Sequence, residues 1–312
     1  MIRLNLISNL VSSILKRGDS RLNQLALENT DKKQYNSKKQ QLKRTIKNEH
    51  LSVDAYFLPY IKPLLKTLSS SGRLVFSIDG SVVGQGCMCL MFSVIYKDKA
   101  IPVIWKVYKA KKGHLSESAH RNLLQSLSEL VPQSCRVVIT GDGEFDGCDW
   151  QQDILNLNWD YVLRTGKNAT ITEENWDEVK AGNICIEQGT HLFFEEIEFT
   201  KKKQVTNLFI WHGKGHEKPL YLVTNLDYGK EIKSFYKKRF KIEPFFRDQK
   251  SKGFNIHKSG LSHPKRLERL LMATCLAYIL CIMASTKAYK SVFYTEISTS
   301  DSKALSLFQL GY

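Results

Sequence analysis

Near its start the chain places Leu4, Leu6, Leu10, Val11 and Leu15 at helical spacing, which predicts a helix with one apolar face. Residues 31–47, DKKQYNSKKQQLKRTIK, are basic and poor in large apolar residues, and read as an exposed basic helix or arm. Ser69-Ser70-Ser71-Gly72 is a polar break, so residues 1–72 are expected to form a small basic helical region that binds DNA.

The pattern then changes period. Residues 73–79 (RLVFSID) read as a buried strand that ends in a carboxylate. Cys87 to Tyr96 and Ile101 to Tyr108 give two more strands, joined by the polar turn Lys97-Asp98-Lys99. Ser116 to Leu130 is an amphipathic helix with Leu123, Leu124, Leu127 and Leu130 on one face. Residues 135–140, CRVVIT, form a strand running into Gly141-Asp142-Gly143, with a helix over 149–157 and a strand over 159–164 to follow. Residues 166–228 are strand-like with turn signals between and predict an all-β insertion. From Glu231 the helical pattern returns to about Ala288. The expected architecture is α/β: a mixed sheet with flanking helices over 73–165 and 229–290, interrupted by the β-rich segment 166–228 and followed by a tail over 291–312. Leu270 to Ala284 is the most apolar run, and its 15 residues fall short of the roughly 20 that a membrane span needs. We expect a buried core helix and no membrane partner.

Charge sharpens this outline. The chain has 312 residues and a net charge of +15, which favours a polyanion partner, nucleic acid first. The excess is uneven: +9 over residues 1–73, +4 over 74–141, −11 over 142–200, +3 over 201–227, +9 over 228–270 and +1 beyond. Two basic blocks around an acidic one suit a protein that grips an extended polyanion along more than one surface. Seven cysteines without CxxC spacing read as reduced thiols in a cytosolic protein, and the N-terminal segment has no signal-peptide pattern.

Asp79 and Asp142 each follow a hydrophobic strand, where side chains project from a rigid sheet edge into a crevice. Together they could share a hard cation, which takes oxygen ligands; singly, each could be only a turn-former after a strand. Asp146 and Glu144 are rivals to Asp142. Tyr236, Arg239, Glu243 and Lys250 fall near 0°, −60°, −20° and −40° on a helical wheel at about 100° per residue. That stripe suits a metal ion beside phosphates, with Glu243 on the ion and the two cations on backbone oxygens. It could also be a solvated face with one Arg–Glu pair. Pro244 predicts a kink or break beside Glu243. His212 and His216 lack partner ligands, and we read them as a hairpin loop.

Tyr236-x2-Arg239-x3-Glu243-x6-Lys250 resembles the Y-R-E-K signature of bacterial insertion-sequence transposases of family four, with Asp79 and Asp142 in the places of the first two acids of a DDE triad. The resemblance spans residues 74 to about 285. It implies an RNase H-like catalytic core in which Asp79, Asp142 and Glu243 hold two Mg2+ ions, with Mn2+ as a substitute. It implies hydrolysis at transposon ends followed by strand transfer into target DNA, through a hairpin with a flipped base. Tyr236, Arg239 and Lys250 would contact phosphates, and Trp211 or Tyr221 would stack on the flipped base. The partners implied are double-stranded DNA and a second copy of the chain in a homodimer, in the bacterial cytoplasm at the nucleoid. Two alternatives stay open: a metal-dependent nuclease of the same fold without strand transfer, and a catalytically inactive DNA-binding remnant.

Overall fold

The computed structural model describes residues 2–27, 32–70, 72–110, 113, 115–173, 177–229, 231–289, 308 and 311. Most of the expected tail over 291–312 therefore lies outside the described residues. Five helices precede the sheet: α1 (Ile2–Arg17), α2 (Leu22–Ala26), α3 (Lys32–Lys47), α4 (Val53–Tyr56) and α5 (Leu58–Ser69). α1 buries Ile7, Leu10, Val11 and Ile14, a face rotated from the expected one, so that Leu4 is left exposed. α3 is a docked helix, since Leu42, Thr45 and Ile46 pack inward while Lys43, Arg44 and Lys47 face out.

The chain then runs through β1 (Leu74–Gly84), β2 (Cys87–Tyr96), β3 (Lys99–Lys109), α6 (Glu117–Ser128), β4 (Val137–Gly141), α7 (Cys148–Leu155) and β5 (Asp160–Thr165). Next come β6 (Thr170–Thr172), β7 (Val179–Lys180), β8 (His191–Phe199), β9 (Gln204–Trp211) and β10 (Leu220–Thr224). Three helices follow, α8 (Glu231–Arg239), α9 (Ile242–Gln249) and α10 (Pro264–Tyr289).

All the described strands join one mixed, mostly antiparallel sheet in the order β3-β2-β1-β4-β5-β10-β9-β8-β6-β7. Only β1–β4 and β4–β5 pair in parallel. The β-rich segment continues the sheet outward from β5, because β10 pairs antiparallel with β5 through Tyr221↔Thr165 to Thr224↔Val162. Residues 184–188 are not in that ladder, and the strand after them begins at His191.

Alternation along the strands divides the core. One face carries Phe76, Ile78, Ile139 and Leu163 into a large cluster shared with α1, α3, α6 and α10. The other presents Val75, Val138, Val162, Phe209 and Leu222 to Ile232, Phe235 and Tyr236 of α8. α10 is long and apolar enough to cross a membrane by length and composition, yet 61% of its apolar stretch is buried inside the protein. It lies close enough to β1 that a Cβ on Gly84 would stand 2.5 Å from Leu267 Cδ1 and 2.7 Å from the Leu261 carbonyl. All seven cysteines are free.

Helix formation after Glu231 departs from a single continuous element. α8 stops at Arg239 and α9 starts at Ile242. Pro244 explains the position of the break, since its ring excludes the carbonyl of the residue four earlier, Phe240, from a continuing helix. With the break at 240–241, Pro244 falls in the first turn of α9, where its missing N–H has no intrahelical partner to lose.

Candidate active site

Register places the two aspartates side by side. β1 and β4 pair in parallel up to Ser77↔Thr140, so Asp79 and Asp142 each lie two residues past the same rung. Asp79 is inside a longer β1, not at its end, and pairs with Met91 on the antiparallel side. The rows Val75-Ser77-Asp79 and Val138-Thr140-Asp142 share one parity, that of the face covered by α8. Ser77 Oγ donates to the Arg239 carbonyl at 3.3 Å, which fixes the C-terminal end of α8 over this rung. Asp142 begins a turn in which Phe145 N donates to the Asp142 carbonyl at 3.0 Å and Glu144 N to Asp142 Oδ1 at 3.0 Å. Gly141 lets Phe145 close over it, since a Cβ there would meet Phe145 Cβ at 2.9 Å.

Arg239 joins the acids. It is buried, 7% exposed, with Nη1 3.0 Å from Glu243 Oε1 and Nη2 3.8 Å from Asp142 Oδ2. The i,i+4 pair forms although the helix is interrupted, because Lys241 keeps right-handed backbone angles through the break. Burial pushes the Asp79 carboxyl up to about 6; Arg239 opposes this, and the charges of Asp142 and Glu243 add to it. Burial would lower Arg239, but Tyr236 and Asp79 more than offset it. Three carboxylates and one guanidinium thus share a single electrostatic neighbourhood.

Lys250 caps α9 and donates from Nζ to Ser81 Oγ at 2.5 Å, one alternation beyond Asp79 on the same strand. Burial lowers its pKa and Asp79 opposes the shift. Tyr236 is 1% exposed. Its phenol lies beside Arg239, and burial raises its pKa against the pull of that guanidinium. Neither the hydroxyl nor Arg239 Nε reaches hydrogen-bond geometry with a partner among the described residues. As placed, Tyr236 backs Arg239 from inside.

The two aromatic candidates stand on opposite faces of the sheet. Tyr221 lines a cleft of about 1130 Å³ with Asp142, Arg164, Lys167 and Lys218. Trp211 lies on the α8 side, with Lys233 Nζ 3.8 Å and Lys237 Nζ 5.8 Å from its ring centroid. His212 and His216 sit in the β9–β10 loop, with His212 Nε2 2.8 Å from the His216 carbonyl.

Two supporting groups were not among the expected site residues. Ser81 anchors Lys250. His120 of α6 stands 3.4 Å from Glu144 Oε1 and packs at a tilt against Phe145, ring centroids 4.8 Å apart, bracing the turn that carries Asp142. A histidine at the a/d-like spacing of Leu123, Leu124 and Leu127 was the available signal for a buried partner.

The donor set of Asp79, Asp142 and Glu243 is all oxygen and suits a hard divalent ion in kind. As the side chains are placed, no three His, Cys, Asp or Glu among the described residues stand close enough to hold a metal ion; Arg239 engages Asp142 and Glu243 instead.

The sequence matches the family model described as Transposase DDE domain over residues 47–280, and the chain belongs to that family. Membership implies nuclease and transesterase activity, and DDE transposases generally use divalent metal ions. The match begins inside α3, earlier than the resemblance read from the motifs. No curated protein matches the sequence. Among solved structures, the piggyBac transposase synaptic complex with hairpin DNA is similar at 12% identity and a TM-score of 0.52, over 99% of this chain and 69% of that one. At that identity the likeness concerns the fold. Human ENDOV aligns at 14% identity over 58% of this chain and 86% of its own, with a TM-score of 0.28.

Proposed function

We propose that this protein is a cut-and-paste DDE transposase with an RNase H-like core, of the family-four group defined by Y-R-E-K. The observation that carries the reading is the in-register placement of Asp79 and Asp142 under the helix end that supplies Arg239 and Glu243. Asp79, Asp142 and Glu243 would hold two Mg2+ ions, which when bound activate a water or 3′-hydroxyl and stabilise the leaving oxygen. Arg239 and Lys250 bind the phosphates beside the cut, with Tyr236 holding Arg239 in place from behind. Tyr221, which lines the cleft beside Asp142, is the better placed of the two aromatics to stack on an extruded base.

The substrate is double-stranded DNA at transposon ends and target, engaged by a homodimer in the bacterial cytoplasm. Support for the substrate comes from the similar piggyBac structure, a synaptic complex with hairpin DNA, and from the net charge of +15.

The test is incubation of the protein and Mg2+ with DNA carrying the sequences that flank its gene. Joined products are expected. Cuts without joining would make the chain a nuclease, and a mobility shift alone would make it a binding remnant. Asp79→Ala should retain the shift and lose every product; persistent cleavage sinks the assignment.

A further inference from the structure

The two basic blocks of the sequence meet in a groove whose lining includes none of the three acids. α3 is fastened to the C-terminal half by Arg269, whose Nε donates to the Leu51 carbonyl and Nη1 to the Ile46 carbonyl, both at 3.2 Å. Ser20 N donates to the Phe254 carbonyl at 2.7 Å, and Asn255 Nδ2 to Asp19 Oδ2 at 3.4 Å. These ties set α3 opposite residues 258–266 across a groove of about 430 Å³.

The groove is lined by Arg21, Lys43, Lys47, Lys258 and Arg266, and by no acidic residue among those described. Arg21 is held from one side by Asp19, at 2.6 Å. The side chains of the other four have no hydrogen-bond or ion-pair partner among the described residues. Lys43, Lys47 and Lys258 are exposed. Leaving four cations of one sign facing each other costs stability through repulsion, and neither wall relieves it. Lys43 and Lys47 are four residues apart on one helix, about 6 Å along its axis, so they can follow successive charges of a regular polyanion. Lys258 and Arg266 do the same from the opposite wall.

We propose that this groove binds the phosphate backbone of duplex DNA flanking the site of chemistry. The inference rests on the transposase reading and adds to it a surface outside the three acids. Two rows of cations on rigid walls match a backbone and read no base edges, so they position the duplex without specifying its sequence. His257 connects the two regions: besides burial, the charges of Lys258, Lys250 and Arg21 all hold its pKa down. The positive potential therefore extends from the groove to Lys250, beside Asp79.

The experiment measures binding of the full chain to a fluorescein-labelled mixed-sequence DNA duplex over a salt series. The groove variant is Lys43→Gln/Lys47→Gln/Lys258→Gln/Arg266→Gln. The control, Lys62→Gln/Lys66→Gln/Lys97→Gln/Lys180→Gln, removes as many cations from other surfaces. Each lost phosphate contact lowers the slope of log affinity against log salt by about 0.9. The groove variant should lose about 3–4 from that slope and the control less than about 1. A single Lys258→Gln change, at an exposed position, should lose about 0.9 and guards against misfolding of the fourfold variant. Equal losses in both fourfold variants, an unchanged slope in Lys258→Gln, or tighter binding to duplex RNA than to DNA would overturn the groove. If wild-type protein cuts and joins DNA while the groove variant keeps its slope, the groove fails and the transposase reading stands. If the groove variant loses its slope while wild type neither cuts nor joins, the groove stands and the transposase reading fails.

Discussion

Around Asp79 and Asp142 charge is mixed in sign and its cation is buried: Arg239 spans Asp142 and the exposed Glu243, and Lys250 is bonded to Ser81. In the groove beside α3 the lining charge is of one sign, its three lysines are exposed, and four of its cations have no partner among the described residues. The same residue types do different work in the two places. A buried charge answered by another is coupled to it, so removing one member strands the rest. An exposed cation acts almost alone and is screened by salt, so its effects add in small, salt-dependent steps.

The contrast can be tested from its steep end downward. Asp142→Ala should reduce DNA cleavage on the order of a thousandfold, with duplex binding within about twofold of wild type, as gel shift and product analysis would report; a comparable loss of binding would merge the two regions into one. Arg239→Met should destabilise the fold by about 1–2 kcal/mol in urea denaturation, since Asp79 loses its nearby cation while the partly exposed Asp142 and Glu243 stay open to water. Full stability in that variant would mean that Arg239 is not what holds them.

Asp79→Asn is expected to stabilise the protein while abolishing chemistry. A carboxyl raised to about 6 from an unfolded value near 3.8 binds its proton more tightly when folded. Its contribution is therefore fully present below about pH 4 and is lost as pH rises through about 6. The amide removes that loss, so the variant should gain about 1–2 kcal/mol at pH 8 and nothing at pH 4. A gain independent of pH would show that burial of charge is not its cause.

Much of the strand-end site was legible in the chain because a strand's alternation is rigid. Once residues 73–79 are read as a strand, Asp79 must share a face with Val75 and Ser77, and the same holds for Asp142 with Val138 and Thr140. The continuous wheel through Tyr236 and Lys250 was less sound. It drew Tyr236, Arg239, Glu243 and Lys250 on one helix, but α8 ends at Arg239, and Lys250 reaches Ser81 as the cap of a second helix. Tyr236 shared the stripe yet turned inward, because the α8 face needed an aromatic against Val138 and Val162. The groove was not legible at all as a place. Its walls lie more than 200 residues apart in sequence, and only the two blocks of net charge hinted that they had something in common. Nor could turn signals tell that β8, β9 and β10 would continue the sheet from β5; that depends on an edge left open by β5, which is a property of the assembled sheet.

The guanidinium lodged against Asp142 and Glu243 has a consequence for the order of assembly. A site whose negative groups already possess a built-in counter-ion can take shape without help from solution. Folding and the capture of divalent ions then become separate events, and a chelator should leave the melting temperature within about a degree while silencing the chemistry, in contrast to small domains that unfold when their metal is withdrawn.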